Sequence, residues 1–328
     1  MSDAYPGGVT LVIGHRGAPG YRPEHTRSSY ELALAQGVDA VEPDVVVSRD
    51  GVLVVRHENE ISSTTDVADR GEFASRRTTK HFAGHRVGGW FTEDFTWEEL
   101  ATLRCRERLP RLRPDNKAFD GQEPMLRLRD VLEMAAAVDR AVVVELKHAS
   151  YFASIGWDLA ALVAEELHAT GWGDGIRPLI IESFEPTALT AVRQHGVVAR
   201  FVYLLEARGR PLDLVVSQGA QAPTYAWTAS PAGLDTLVGS VDGISVDKKL
   251  LTDAKDPGAL VADAHARGLL VYTWTCRPEN AFLAHRYRRT SVRAAYGDYR
   301  AEWEMLRGTG IDGAFVDHPD LGVAAFRP

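Results

Sequence analysis

Four short segments place imidazoles, carboxylates and cationic side chains at spacings suited to acid-base chemistry on an anion. They are His15-Arg16-Gly17, Glu42-Pro43-Asp44, Arg56-His57 and Glu145-Leu146-Lys147. Each sits in or just after an apolar run rich in β-branched residues, the mark of a buried strand. Residues two apart on a strand project from one face, so Glu42 pairs with Asp44 and Glu145 with Lys147. Taken singly, each has a structural explanation: a histidine at a strand end is more often a satisfied core residue, and Glu145 with Lys147 is an ordinary ion pair. Taken together they point further, because inward carboxylates in apolar strands are costly unless a cation meets them. An all-oxygen trio of Glu42, Asp44 and Glu145 suits Mg²⁺ or Ca²⁺ better than zinc. His15 and His57, with unperturbed pKa values of about 6.5, are then free to move protons.

The elements that must bring these residues together follow from the hydrophobic pattern. Strand-like runs span 9–15, 39–47, 141–147, 178–184, 198–205, 241–246, 269–275 and 311–316. Helix-like segments fall between most of them, around 26–34, 128–138, 155–169, 186–195 and 257–266, the last with Asp256 as cap and Pro257 in the first turn. Eight strands alternating with helices predict a TIM (β/α)8 barrel with a small insertion after the second strand, an open doubly wound sheet being the alternative. The C-terminal strand ends of a barrel share one pocket, and those ends carry the polar segments.

Residues 58–123 show weak apolar periodicity and read as an inserted subdomain with little core, between barrel portions at 1–57 and 124–328. The insertion holds the densest basic stretch, Arg104, Arg106, Arg108, Arg111 and Arg113, for which a solvated loop paired with local carboxylates is the expectation. Lys248 and Lys249 also read as solvent-facing, and His148 as structural or at a rim. Trp274, within Val271–Thr275, is by position alone as consistent with core as with a substrate wall. Asp317, after the last strand, would support the site from behind.

Of the 328 residues, 37 are Lys or Arg and 45 are Asp or Glu, a net charge of −8. That balance argues against general nucleic-acid binding, so an anionic substrate must be captured locally. Two cysteines, Cys105 and Cys276, are too few for a disulfide framework. No run is long enough for a membrane span, and Val9–Ile13 is too short for a signal core. The expected location is therefore cytoplasmic as written, or exported if a signal was trimmed.

In order, His15-Arg16-Gly17-Ala18, Pro23-Glu24-His25-Thr26, Glu42-Pro43-Asp44 and the Asp50-Gly51 turn leading to His57 resemble the glycerophosphodiester phosphodiesterase family. The resemblance continues through Thr64–Ala68, Glu145-Leu146-Lys147, Ser183-Phe184, Trp274 and Asp317-His318-Pro319-Asp320, covering essentially the whole chain. It implies a TIM barrel, one divalent metal ion (Ca²⁺ or Mg²⁺), and hydrolysis of glycerophosphodiesters to an alcohol and sn-glycerol 3-phosphate through a cyclic phosphate. By position it implies Glu42, Asp44 and Glu145 as metal ligands, His15 and His57 as the general acid-base pair, Arg16 and Lys147 as phosphate contacts, and Trp274 as the wall against the glycerol. The sequence departs from the family pattern at His25, where many members carry Asn, and at Glu58, where Asp commonly follows the histidine. The implied partner is a small glycerophosphodiester or a glycerol-phosphate polymer. The alternatives are a phospholipase D-like lyase ending at a cyclic phosphate, a metallophosphatase using the histidines as ligands, and a non-catalytic barrel binding such polymers.

Overall fold

Eight parallel strands occupy the anticipated runs in a computed structural model that describes residues 9–82 and 85–327. Residues 1–8, 83, 84 and 328 of the units drawn above lie outside the described residues. The strands are β1 Leu11–His15, β2 Ala40–Glu42, β3 Ala141–Leu146, β4 Leu179–Ser183, β5 Arg200–Leu205, β6 Gly243–Asp247, β7 Leu270–Cys276 and β8 Gly313–Val316. Each pairs with the next, and β8 returns to β1 with Leu11 opposite Gly313, closing a (β/α)8 barrel. Helices including Arg27–Ala35, Leu128–Ala137, Leu159–Ala169, Pro186–Gln194, Ala259–His265 and Tyr299–Gly308 follow the strands. Thr26 caps the first by accepting from the Ser29 N–H at 3.3 Å. Asp256 accepts from the Gly258 N–H at 3.0 Å, but that helix begins at Ala259, so Pro257 precedes it rather than sitting in its first turn.

Alternation along the strands sorts side chains into two cores. Leu11, Ile13, Ala40, Ala141, Val143, Ile180, Val202, Tyr272 and Phe315 fill the barrel interior, while Val12, Val41, Val142, Val144, Ile181 and their neighbours pack outward against the helices. Counting onward by two from the interior set reaches His15, Glu42, Glu145, Glu182 and Trp274. The parity that plugs the barrel with apolar side chains thus delivers the polar ones at its C-terminal mouth.

Pro43 interrupts β2, because it cannot donate to the ladder. The chain resumes at Asp44–Val47, with Asp44 opposite Glu145, and folds back through Asp50-Gly51 as an antiparallel strand, Leu53–Val55. Gly51 takes a φ of +81°, as this tight turn demands. The return brings Arg56 level with Asp44, its N–H on the Asp44 carbonyl at 3.0 Å, and sets His57 at the pocket.

The 58–123 segment buries more apolar side chains than an inserted subdomain with little core would. Ile61, Val67, Phe73, Phe91, Phe95, Leu100 and Leu103 are buried, all but Phe91 in the outer core of the barrel. Their spacing is irregular because they come from short 3₁₀ helices (Val67 in Val67–Asp69, Phe73 in Gly71–Arg76), one turn of α-helix (Leu100 in Trp97–Leu100) and the connections around them. Such elements impose no steady period. No helix among the described residues is long and apolar enough to cross a membrane.

Candidate active site

Register sets the floor of the site. His15 lies opposite Glu42, Asp44 opposite Glu145, and Glu145 opposite Glu182 on adjacent strands. Glu42, Glu145 and Glu182 each offer a buried carboxylate oxygen within 4.8 Å of the others. Glu42 Oε1 and Glu182 Oε2 have no hydrogen-bond partner among the described residues. Burial and the neighbouring carboxylates hold Glu42 and Glu182 well above the ordinary range. Glu145 is pushed up to about 8, burial and Asp44 outweighing Lys147. Crowded, partly orphaned carboxylates of this kind fit a hard divalent cation.

Glu182 was not singled out in the sequence, although its place two residues beyond the inward-facing Ile180 would have found it. Asp44, anticipated beside Glu42 and Glu145, stands outside this tight trio. Its oxygens rest on Lys147 Nζ at 2.9 Å, Arg16 Nε at 3.2 Å and His25 Nε2 at 2.9 Å. Lys147 foremost, with Arg16 and the His25 hydrogen bond, holds it well below its usual range despite burial. Lys147 also meets Glu145 at 2.5 Å, so its ammonium bridges two carboxylates. His25, flagged as a departure from the family pattern, is fully buried and joins Asp44 to the Tyr30 hydroxyl, 2.7 Å from its Nδ1.

Arg16 takes a left-handed φ of 56°, unusual for a non-glycine residue and typical of a functional position. Two contacts fix it: its N–H meets both the carbonyl and the carboxylate of Glu42, at 3.0 and 2.9 Å. Gly17 follows with a φ of +90°, and a Cβ there would come within 2.5 Å of Ser29. That explains glycine in His15-Arg16-Gly17.

Both imidazoles carry a carboxylate on Nδ1. His15 donates to Asp317 at 2.7 Å, and Asp317 is held in turn by Arg113 and Arg277, each at 2.6 Å. His57 donates to Glu58 at 2.5 Å, and Glu58 is held by Arg108. With Nδ1 occupied, each ring presents Nε2 as its free nitrogen. Burial, assisted by Arg16, lowers His15 to about 4; desolvation, assisted by Arg16 and Lys147, lowers His57 to about 3. Burial thus favours the neutral, proton-accepting form of both rings, and a phosphodiester anion entering beside them shifts the balance back toward the imidazolium.

A cavity of about 690 Å³ opens over this floor, lined by His15, Arg16, His57, Glu145, Lys147 and Glu182. Trp274 and Phe184 form one wall, meeting edge to face at 5.6 Å, and the Trp274 indole N–H bonds the Ser245 carbonyl. Arg277, Phe282, His285 and Arg288, from the loop after β7, form another. All eight sequence candidates lie at or beneath this mouth, Glu42 and Asp44 below the lining. Lys248 differs from expectation: it is buried and paired with fully buried Glu302, whereas Lys249 is exposed. Arg108 and Arg113, read as part of a solvated loop, instead bind carboxylates of the site.

The sequence model of the glycerophosphoryl diester phosphodiesterase family matches residues 15–321. A glycerophosphodiester phosphodiesterase of Arabidopsis thaliana is 30% identical over 325 residues, spanning 93% of this chain and 82% of the relative. One from Bacillus subtilis is 35% identical over 320 residues, spanning 95% and 84%. An Oleispira antarctica phosphodiesterase, solved with the product sn-glycerol-3-phosphate, superposes with a TM-score of 0.67 at 20% identity over 98% of both chains. The chain belongs to the glycerophosphoryl diester phosphodiesterase family and is a glycerophosphodiester phosphodiesterase.

Proposed function

We propose that this enzyme cleaves a glycerophosphodiester to an alcohol and sn-glycerol 3-phosphate by proton transfer between His15 and His57, with one divalent cation, Ca²⁺ or Mg²⁺, on the carboxylate floor. The observation that carries the reading is the pair of imidazoles, each tied at Nδ1 to an ionised carboxylate and opening Nε2 to one cavity that also holds Lys147 and Arg16. Glu42 and Glu145 hold the cation, with Glu182 and Asp44 as the flanking carboxylates; the ammonium bridging Asp44 and Glu145 marks where positive charge is already accepted. Bound there, the cation supplies charge to the nonbridging phosphate oxygens and lowers the pKa of the glycerol hydroxyl.

The residues of the chain do the rest. Arg16 and Lys147 offset the repulsion between a phosphodiester anion and the carboxylates beneath it. Trp274 and Phe184 flank the glycerol carbons. One neutral imidazole takes the proton of the glycerol hydroxyl as its oxygen bonds to phosphorus. The other, protonated, gives a proton to the leaving alkoxide as that P–O bond breaks. Asp317 and Glu58 stabilise the imidazolium in each case. The cyclic phosphate so formed is opened by water with the two roles exchanged. The substrate is a small glycerophosphodiester, with a glycerol-phosphate polymer as the longer alternative.

His15→Ala and His57→Ala are each expected to lower turnover of glycerophosphocholine by about 10²- to 10⁴-fold, with thermal unfolding unchanged. Near wild-type rates in either would overturn the assignment. Phosphorus NMR separates a hydrolase, which accumulates glycerol 3-phosphate, from a lyase that stops at the cyclic ester.

A further inference from the structure

The inserted segment reaches the two imidazoles by separate routes from a single turn. Arg108 grips Glu24 with two bonds of 2.6 Å and Glu58 with bonds of 3.0 and 2.5 Å. Glu58 is the carboxylate on His57. Further along, Arg113 donates to Asp317 at 2.6 Å, to Glu279 at 2.7 Å and to the Pro19 carbonyl at 2.9 Å. Asp317 is the carboxylate on His15. The turn between them is itself pinned: Glu107 accepts from the Leu109 N–H at 2.6 Å and from Asn116 at 2.8 Å, and Asn116 also reaches the Pro19 carbonyl at 3.0 Å.

A carboxylate on Nδ1 fixes an imidazole only if it is itself prevented from turning, because ring orientation and tautomer follow it. Glu58 has 35% of its side chain exposed and several free torsions. The guanidinium of Arg108, bonded to both Glu58 oxygens and anchored on buried Glu24, removes that freedom. Asp317 is fully buried, and Arg113 shares it with Arg277.

Building on the reading of His15 and His57 as the proton-transfer pair, we infer that Arg108 and Arg113 are positioning residues for two different protons: Arg108, through Glu58, for the proton carried by His57, and Arg113, through Asp317, for the proton carried by His15. The insertion is then part of the catalytic apparatus, setting acid and base independently from one turn.

Leaving-group dependence separates the two arms. A choline alkoxide must be protonated as it leaves, whereas p-nitrophenolate leaves unprotonated, so a misplaced acid matters for the first substrate and a misplaced base for both. Arg108→Ala and Arg113→Ala, as full-length proteins with saturating Ca²⁺ or Mg²⁺, are compared on glycerophosphocholine and on the p-nitrophenyl ester of glycerol phosphate. Rates are read in the first turnover, which needs only the first P–O cleavage. Each variant is expected to lose about 10- to 100-fold on glycerophosphocholine. One of the two recovers to near the wild-type rate on the p-nitrophenyl ester and the other does not. Arg113→Lys and Arg108→Lys restore part of each loss, and Arg106→Ala, from the same basic stretch, changes neither rate. Recovery of both variants, recovery of neither, or full activity in both overturns the inference. Glu58→Gln must reproduce the pattern of Arg108→Ala, which keeps the test decisive if an Arg113 variant fails to fold. If His15→Ala and His57→Ala are themselves active, the underlying acid-base reading has failed instead.

Discussion

The barrel floor and the inserted turn both bury several charges, yet they are opposite in kind. On the floor, Glu42, Glu145 and Glu182 crowd like charges together and leave oxygens unbonded. In the turn, nearly every buried charge has a partner: Arg108 with Glu24 and Glu58, and Arg113 with Glu279 and Asp317. A set of like charges with spare oxygens is incomplete by itself and answers to something that binds it. A closed network of opposite charges is complete and serves to hold geometry. The contrast assigns the floor to the ligand and the turn to the scaffold, and it can be broken by removing one charge from each.

The largest effect is expected from the turn. Arg113→Met leaves Glu279 and part of Asp317 buried without a cation, a loss of about 3–5 kcal/mol in unfolding free energy. Glu182→Gln, measured with chelator present, is expected to lie within about 0.5 kcal/mol of wild type or above it. Burial and Glu145 raise its pKa well above the ordinary value, which favours the uncharged acid, and glutamine keeps its shape. Denaturant titration of both variants decides the matter: equal losses would mean that the floor is structural too.

Adding the cation should reverse the asymmetry. Ca²⁺ or Mg²⁺ at about 100 times its dissociation constant stabilises the wild type by about 2.7 kcal/mol, the mass-action value for one site. Glu42→Gln is expected to lose most of that shift, whereas Arg113→Met keeps it on a lower baseline. A cation-induced shift that survives Glu42→Gln would place the ion elsewhere.

How much of this was legible follows the same division. The floor could be read from sequence because strand alternation is local: two-residue spacing within apolar runs puts Glu42, Asp44, Glu145 and Lys147 on inward faces, and the strand ends share a mouth. Glu182 was missed because it stands without a second charge nearby in Ile180-Ile181-Glu182-Ser183, though its parity was readable. The turn was not legible. Arg108 meets Glu24 and Glu58 across 84 and 50 residues, and Arg113 meets Asp317 across 204. No periodicity links partners so far apart, so an arginine-rich stretch in a loop looked solvated. Lys248 failed for the same reason, since Glu302 lies 54 residues away.

The carboxylate floor and the imidazoles held from the turn titrate in opposite senses. His15 and His57 have folded pKa values of about 4 and 3, below the unfolded value of 6.5. The unfolded chain therefore binds protons first, and stability present above pH 6.5 is lost as pH falls toward 3. Asp317, held well below its ordinary value by Arg277 and Arg113 against its burial, adds to the same acid branch. Glu145 works the other way: raised from 4.5 to about 8, its contribution is complete below pH 4.5 and lost as pH rises through 8. Each group contributes a slope of at most about 1.4 kcal/mol per pH unit. In chelator, stability should decline on both sides of a maximum, and the divalent cation should flatten only the alkaline branch. An acid branch that responds to the cation instead would merge the two regions into one.

The smallest effect falls within the basic stretch itself. Arg106 is two residues from Arg108, but among the described residues its guanidinium pairs with Asp69 alone, which is 66% exposed. Water screens that pair and solvates either member when the other is lost, so Arg106→Ala is expected to change unfolding free energy by about 0.2–1 kcal/mol. Arg108 has the same side chain and much the same local sequence, yet it is bonded bidentately to Glu24, which is almost wholly buried. Its removal leaves a buried carboxylate with Arg16 as its remaining ion-pair partner among the described residues. Arg108→Ala should therefore cost several times more than Arg106→Ala in the same denaturant titration. Equal values would mean that burial of the partner carboxylate does not distinguish arginines that bind the site from those that merely border it.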